Sequence, residues 1–469
     1  MPEIRAITLA GSETAVSEAD VEALRAGLRG QLLLEKDDGY DAARRVYNAM
    51  ILRSPAMIVR CGGVADVMAA VNFARDQDLL VSVRGGGHNV AGTAVCHGGV
   101  MIDLSGMRAV RVDPANRTAR AEGGTTWREY DHETQAFGLA STGGFFPSTG
   151  VGGLTLGGGV GWLMGKCGLS LDNLQSADIV TADGRLLTAS ATDNQDLFWG
   201  LRGGGGNFGV VTSFEFRLHP IGPLITGGLV IHPFERAKEV FQFFREFTAT
   251  APDEVRALAV LMTTPEGAPA AAIVVCHCGT PEQGERDLRA LKQFGPPLAD
   301  HIQPMPYTSM QGLLEDGFPW GLQNYWKSNF MKQLPDEAID IMVERFKQVA
   351  SPQSAIAIEQ VGGAVSRVGR DQTAFNHRDM AFNFLSLGIC PDPADIGTVT
   401  RWARETWEAV QPFSQGGVYV NYLGPEAEEG RDRLVAAYGP EKYARLAALK
   451  QKFDPLNLFR FNQNIKPQG

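Results

Sequence analysis

Leu79-Leu80-Val81-Ser82-Val83-Arg84-Gly85-Gly86-Gly87-His88-Asn89-Val90-Ala91-Gly92 opens as an apolar strand and breaks into a loop of three glycines and a histidine. Just before it, Val64 to Gln77 has helical spacing in Val67, Met68, Val71, Phe73 and Ala74, and Pro55 to Arg60 is a short apolar strand. Strand, helix and strand in that order predict a parallel pair. The loop then lies at a strand end, where successive backbone N–H groups can form a concave nest for a phosphate. On residues alone, His88 is either a turn or hydrogen-bonding residue or a group that enters chemistry.

Outward from this unit, a helix capped at Ser17 covers 18–30, strands cover 100–104 and 108–113, and a helix covers 127–137. Residues 176–190 read as two strands joined at Ala182-Asp183-Gly184, and 209–218 is a long strand rich in β-branched and aromatic residues. A Pro/Gly break follows at 219–224. Beyond it, helices at 234–248, 281–294, 335–349 and 393–411 alternate with apolar strands near 257–263, 270–277, 355–360 and 380–388. This pattern predicts an antiparallel sheet with helices on it. The tail from Tyr419 reads as short, motif-like sequence. A chain of 469 residues exceeds the size of one usual core. The expected architecture is α+β: a first domain of residues 1–224 with a core of about 50–222, a second at 225–418, and a segment at 419–469.

Composition narrows the function. With 44% hydrophobic and 20% charged residues the chain is an ordinary globular protein. A net charge of -10 and the lack of a basic stripe argue against nucleic acid. No apolar run approaches the roughly 20 residues that span a bilayer. Met1-Pro2-Glu3-Ile4-Arg5 lacks the basic end and apolar stretch of a secretory signal, so the protein is expected in the cytoplasm. The six cysteines are scattered and form no disulfide framework. Cys276-His277-Cys278 ends a strand whose alternation separates His277 from the two thiols, so no metal site is expected.

The 55 glycines cluster at 85–87, 143–161 and 203–209. Gly204-Gly205-Gly206-Asn207-Phe208-Gly209 fits the letters of the dinucleotide fingerprint, but a strand rather than a helix follows it, so a Rossmann site is rejected. No Walker A or G-x-S-x-G sequence is present. Glycines at this density cost conformational entropy, and backbone donors around one large ligand are expected to offset it.

Four separated stretches carry a resemblance: Arg84 to Gly92, Pro147 to Asn173, Asn207 to Val211, and Phe459-Arg460-Phe461-Asn462-Gln463-Asn464-Ile465-Lys466-Pro467. Asn324-Tyr325-Trp326-Lys327-Ser328 and Gly362-Gly363-Ala364 also fit. The chain resembles the berberine bridge enzyme-like FAD-linked oxidases of the vanillyl-alcohol oxidase superfamily from about residue 45 to 467. The resemblance implies a two-domain fold in which the first half and the tail bind FAD and residues 225–418 supply a substrate sheet. It implies a covalent bond from His88 to the flavin 8α-methyl carbon. Cofactor contacts are implied for Arg84, Gly85, Gly86, Gly87, Asn89 and Gly92. The long glycine segment would add Thr142, Gly143, Ser148, Thr149, Gly150, Gly152, Gly153, Gly159, Gly161, Trp162 and Asn173. Gly209, Val211, Asn462 and Asn464 would complete the set.

Some family members attach flavin a second time, through a cysteine where this chain has Gly150, so a single attachment is expected; Cys167 reads as a buried apolar residue. Tyr419-Val420-Asn421-Tyr422 resembles the family's Y-x-N-Y element, whose second tyrosine often acts as base. Tyr422 is therefore expected as base. Tyr325 and Lys327, two apart on a strand, either face the flavin, with Lys327 lowering a phenol's pKa, or lie on a solvated face. The reaction expected is hydride transfer from a hydroxyl-bearing small molecule, an alcohol, sugar or secondary metabolite, to FAD, with O2 reduced to H2O2. Amine oxidation, oxidative ring closure, a dehydrogenase with another acceptor, and a non-catalytic flavin carrier are the alternatives. Gly157-Gly158-Gly159 is expected to run beside the flavin ring and leave room for oxygen.

Overall fold

The computed structural model describes residues 3–468. The strand Met57–Arg60, the helix Val64–Asp76 and the strand Val81–Arg84 form as the sequence predicts. Val67, Ala70, Val71 and Ala74, one face of the helix, are fully buried against the sheet. The two strands are parallel but not neighbours: Val100–Asp103 lies between them, parallel to both. The chain leaves Arg84 through the glycine loop and returns to the middle of the sheet, which leaves the loop beyond the strands' carboxyl ends. Gln31–Leu33 pairs antiparallel with Met57–Arg60 and completes four strands.

A second sheet is antiparallel, in the order Leu186–Ser190, Leu174–Val180, Val210–Arg217, Thr118–Glu122, Val110–Asp113. The hairpin at Ala182-Asp183-Gly184 is present, with Gly184 at φ 78°. Trp127, Tyr130, Phe214 and Phe216 pack beneath this sheet, each such ring contributing roughly 1.5–3 kcal/mol by burial. The tail joins the same core through Leu434, Ala437, Leu446 and Leu449. It does so as two helices, Glu426–Tyr438 and Pro440–Phe453, not as short irregular sequence. Gly430, at φ 77°, and the Gly439-Pro440 pair interrupt the pattern that would have announced them.

The largest sheet has eight strands among the described residues and is antiparallel throughout. Its path runs Ala299–Asp300, Leu224–Pro233, Pro269–His277, Val255–Thr263, Ala355–Gln360, Phe382–Cys390, Gln323–Met331, with Gln303–Pro306 also on Leu224–Pro233. The break at 219–224 thus leads straight into a strand. Helices Ala237–Thr250, Asp336–Phe346 and Ile396–Val410 cover one face, where Phe241, Phe244, Ile339, Met342 and Trp402 meet Ala257, Ala259, Ile273, Ile356 and Phe384. The expected helix at 281–294 is split into Pro281–Asp287 and Arg289–Gln293. By the two-residue period of strands, Leu258, Val260, Val274, Ala357, Leu385 and Leu387 point the other way. They form one wall of a cavity whose opposite wall is the glycine loops.

Candidate active site

The cavity has a volume of about 970 Å³, at the upper end for small-molecule sites. Its loop wall is made by residues 85–89, 149–150, 152–154, 205–207, 209–211, 459 and 461–463, and its other wall by the large sheet. Two glycine loops touch there. A Cβ on Gly86 would collide with the backbone nitrogen of Gly150, and a Cβ on Gly150 with that of Gly86. A cysteine at 150 could not be accommodated without displacing the His88 loop.

Gly87, at φ 68°, turns the chain so that the His88 ring stacks on Tyr47, centroids 3.9 Å apart and planes 14° from parallel. Phe146 lies 5.9 Å from it on a nearly parallel plane. Burial pushes the His88 pKa down to about 4. The imidazole is therefore neutral at pH 7, with a nitrogen lone pair available as a nucleophile. The backbone N–H groups of Gly86, Gly87 and Asn89 make no hydrogen bond among the described residues, as an anion-binding nest requires.

These residues fit FAD. Gly153 and Gly206 line the cavity and a Cβ on either would meet nothing, so this wall has room to spare. Asn462 lines it too, and its Oδ1 is buried with no partner although its Nδ2 donates to Phe459 O. Among the described lining residues there is no Lys or Arg, so backbone dipoles must receive a diphosphate.

Opposite this loop wall stands Glu359, on the strand Ala355–Gln360 and 3% exposed. Tyr422 Oη donates to Glu359 Oε1 at 2.8 Å, and Asn383 Nδ2 donates to Oε2 at 2.8 Å. Burial pushes the Glu359 pKa up to about 7, against the two hydrogen bonds, which lower it. Burial and the adjacent Glu359 raise the Tyr422 phenol well above its ordinary value. Tyr419 stands edge-on to Tyr422, 4.9 Å between centroids, and accepts at its hydroxyl from Gly159 N and Asn421 Nδ2, both at 2.8 Å.

Several expectations change. Tyr325 and Lys327 do share a face, but it is the helix-covered one; Trp326, between them, lines the cavity. Tyr325 Oη donates to Glu428 and receives from Arg404. Lys327 is paired with buried Glu429 at 2.8 Å, and Glu429 also holds Arg433 at 2.6 Å and Gly424 N at 3.1 Å. Lys327 therefore cannot acidify Tyr422, whose partner is an acid. Removing one member of a buried pair leaves the other uncompensated. Lys327→Met is expected to cost ~3 kcal/mol of stability, measured by thermal unfolding, with a native flavin spectrum retained below the transition.

Much of the glycine run is close packing, not cofactor wall. Asn421 occupies the space where Gly157 would carry a side chain, and the carbonyl of Gly143 fills that of Gly161. Gly157, Gly158 and Gly159 lie against Asn421, Tyr419 and Ser170 outside the cavity lining, so they open no path to a ligand there.

Of the remaining expected contacts, Gly85, Gly86, Gly87, His88, Asn89, Thr149, Gly150, Gly152, Gly153, Gly209, Val211 and Asn462 line the cavity. Arg84, Gly92, Thr142, Gly143, Ser148, Trp162, Asn173 and Asn464 do not. Arg84 donates to Ala43 O, Gly92 packs on Ile51, and Thr142 donates to Gly168 O at 2.7 Å. Trp162 packs edge-on to Phe145, and Asn173 Nδ2 ties Cys167 O and Leu169 O. Cys167 is also outside the lining, and burial keeps its thiol protonated, with a pKa of about 12. His377 is held by Ala436 O at 3.0 Å, away from the cavity. The residue the sequence reading missed is Glu359. Its signal was one carboxylate at the end of the apolar run Ala355-Ile356-Ala357-Ile358.

Known proteins are similar to this chain in sequence and in fold. Residues 55–190 match the family described as an FAD binding domain, and 418–466 the one described as berberine and berberine-like. An FAD-linked oxidoreductase of Dictyostelium discoideum is 32% identical over 90% of this chain and 91% of its own length. The (R)-6-hydroxynicotine oxidase of Paenarthrobacter nicotinovorans is 31% identical over 94% and 98%. The crystal structure of 6-hydroxy-D-nicotine oxidase from Arthrobacter nicotinovorans superposes with a TM-score of 0.86, at 29% identity, over 94% of this chain and 98% of that one.

Proposed function

Because the chain belongs to the berberine bridge enzyme-like family of FAD-linked oxidoreductases, we propose that it oxidises a small molecule at a carbon bearing a hydroxyl or an amine, with FAD joined once, to His88, and with O2 as final acceptor. Bound FAD would supply the two-electron acceptor. The protein's own part follows from geometry. His88 is a neutral nucleophile in the loop, the contact of Gly86 with Gly150 leaves no room for a cysteine at 150, which supports a single anchor, and free loop N–H groups are available to a diphosphate. Glu359, on the sheet, and Tyr422, on the tail segment and bonded to it, line the same cavity as that loop wall. A carbon gives up hydride readily only when its heteroatom sheds a proton, and an acceptor within hydrogen-bonding reach must take it. A carboxylate with a pKa near 7 suits that role, whereas the raised Tyr422 phenol does not ionise at neutral pH. Tyr422 thus holds and orients the carboxylate.

The opposed His88 loop and Glu359–Tyr422 pair is the observation that carries this reading. The division into 1–224, 225–418 and 419–469 belongs to it, supported by the core that the tail shares with the second sheet. The six cysteines are unpaired, in keeping with a cytoplasmic location. The names of the nicotine-oxidising relatives favour O2. The test is anaerobic: a panel of alcohols and amines should include one that bleaches the flavin, and air should restore the colour within seconds. Recolouring over many minutes would point to another acceptor.

A further inference from the structure

We propose that Tyr47 is a positioning residue for flavin attachment, its ring setting the plane in which the attacking nitrogen of His88 lies. The inference rests on the single attachment at His88 and goes beyond it, to how that side chain is aimed. The lone pair of an imidazole nitrogen lies in the plane of the ring, so attack on a carbon is fast only when that plane is turned toward it. Among the described residues no other residue hydrogen-bonds to the His88 ring, so packing sets its orientation. The ring lies face to face with Tyr47, 3.9 Å between centroids and 14° between planes, whereas Phe146 is 5.9 Å away and Trp320 stands edge-on at 6.2 Å.

Tyr47 is itself immobilised. It is fully buried, and hydrogen bonds hold it at both backbone groups and at the hydroxyl. Its N–H donates to Gly87 O at 2.9 Å, its carbonyl accepts from Gly321 N at 3.4 Å, and its hydroxyl donates to Phe318 O at 3.3 Å. The next residue, Asn48, donates from Nδ2 to Val90 O and to Asn324 O, both at 2.8 Å. Tyr47 and Asn48 therefore grip the loop on both sides of His88 and tie it to the strand Gln323–Met331. Tyr47 stands outside the cavity lining, to which His88 belongs, so it acts on the anchor and not on the cofactor. It is no base either: burial raises its phenol above the ordinary value, and the hydroxyl proton is already given to a carbonyl. The attachment step balances. A bond forms between a ring nitrogen of His88 and the 8α carbon of the flavin. That carbon and the imidazole each release one proton, and the electron pair of the broken carbon–hydrogen bond passes to the flavin. O2 then takes two electrons and two protons and leaves as H2O2.

The test needs no substrate. Full-length protein made under riboflavin limitation is given FAD in air at a series of concentrations. Samples are precipitated with acid over time, and the flavin kept in the pellet is measured. Tyr47→Leu is expected to lower the limiting rate of attachment ~tenfold or more, with the half-saturating FAD concentration nearly unchanged. Tyr47→Phe keeps the stacked ring and loses only the hydroxyl, so it should attach flavin within a few-fold of the wild-type rate. Should the leucine variant not fold, Tyr47→Met, longer and adaptable in shape, takes its place. Attachment by the ringless variant at the wild-type rate, an equal loss in Tyr47→Phe, or a change confined to half-saturation would overturn the proposal. Wild-type protein that binds FAD and never retains it in the pellet sinks the attachment at His88, while wild-type and ringless proteins that attach equally fast sink this inference alone.

Discussion

His88→Ala is expected to release all of its flavin on acid precipitation, while the wild-type pellet stays yellow and fluorescent. The effect should be all-or-none, because each alternative anchor is disabled for a separate reason. Gly150 has no side chain and no space for one. Cys167 lies outside the cavity with its thiol held protonated. His88, by contrast, is in the lining, uncharged at neutral pH and held by the stack on Tyr47. Mass mapping of wild-type peptides should find the FAD increment on the peptide containing His88. FAD on any other peptide, or free FAD from the wild type, overturns the assignment. The variant should still bind FAD reversibly, because the loop N–H groups and the glycine wall are unchanged.

The glycine loop was legible in the sequence because its meaning is local. Three glycines after a strand expose backbone wherever the strand is placed. The helices Ala237–Thr250, Asp336–Phe346 and Ile396–Val410 and the strands Val255–Thr263, Pro269–His277, Ala355–Gln360 and Phe382–Cys390 were legible for the same reason, since their apolar periods are intact, whereas the strand Leu224–Pro233 was not read from the sequence. What faced what was not legible. Gln323–Met331 is buried along its whole length on both faces, so alternation identifies two sets of residues without saying which one meets the cavity. From sequence Lys327 faced either a ligand or solvent, but its counter-charge, Glu429, comes from a helix more than a hundred residues away, in a tail whose helices were hidden by Gly430 and Gly439. Glycine density also misled in part. A glycine beside a ligand and a glycine beneath another side chain read alike, and Gly157 and Gly161 are of the second kind.

Glu359→Gln should slow anaerobic flavin reduction by about 10²–10⁴-fold, the usual cost of losing a general base. The amide keeps the size of the carboxylate and can still accept from Tyr422 at its oxygen, so fold and flavin content should be unchanged. The wild-type pH profile gives an independent readout. Only the ionised carboxylate accepts a proton, and burial raises its pKa to about 7. The rate constant for reduction should therefore rise with pH through that region and level off above it. The groups facing Glu359 are Tyr422 and Tyr419 from the tail segment and Asn383 from the neighbouring strand. None of them ionises near 7, since both phenols are raised by burial. In Glu359→Gln this rise should disappear. Tyr422→Phe separates the two roles. It removes a hydrogen bond that favours the charged carboxylate, so the inflection should move to higher pH, while much of the rate at alkaline pH is retained. If instead Tyr422→Phe abolishes reduction at every pH and Glu359→Gln reduces within a few-fold of wild type, the phenol is the acceptor and the carboxylate its support. Reoxidation of dithionite-reduced enzyme by air should be nearly the same in all three proteins, because substrate proton transfer has no part in that half-reaction.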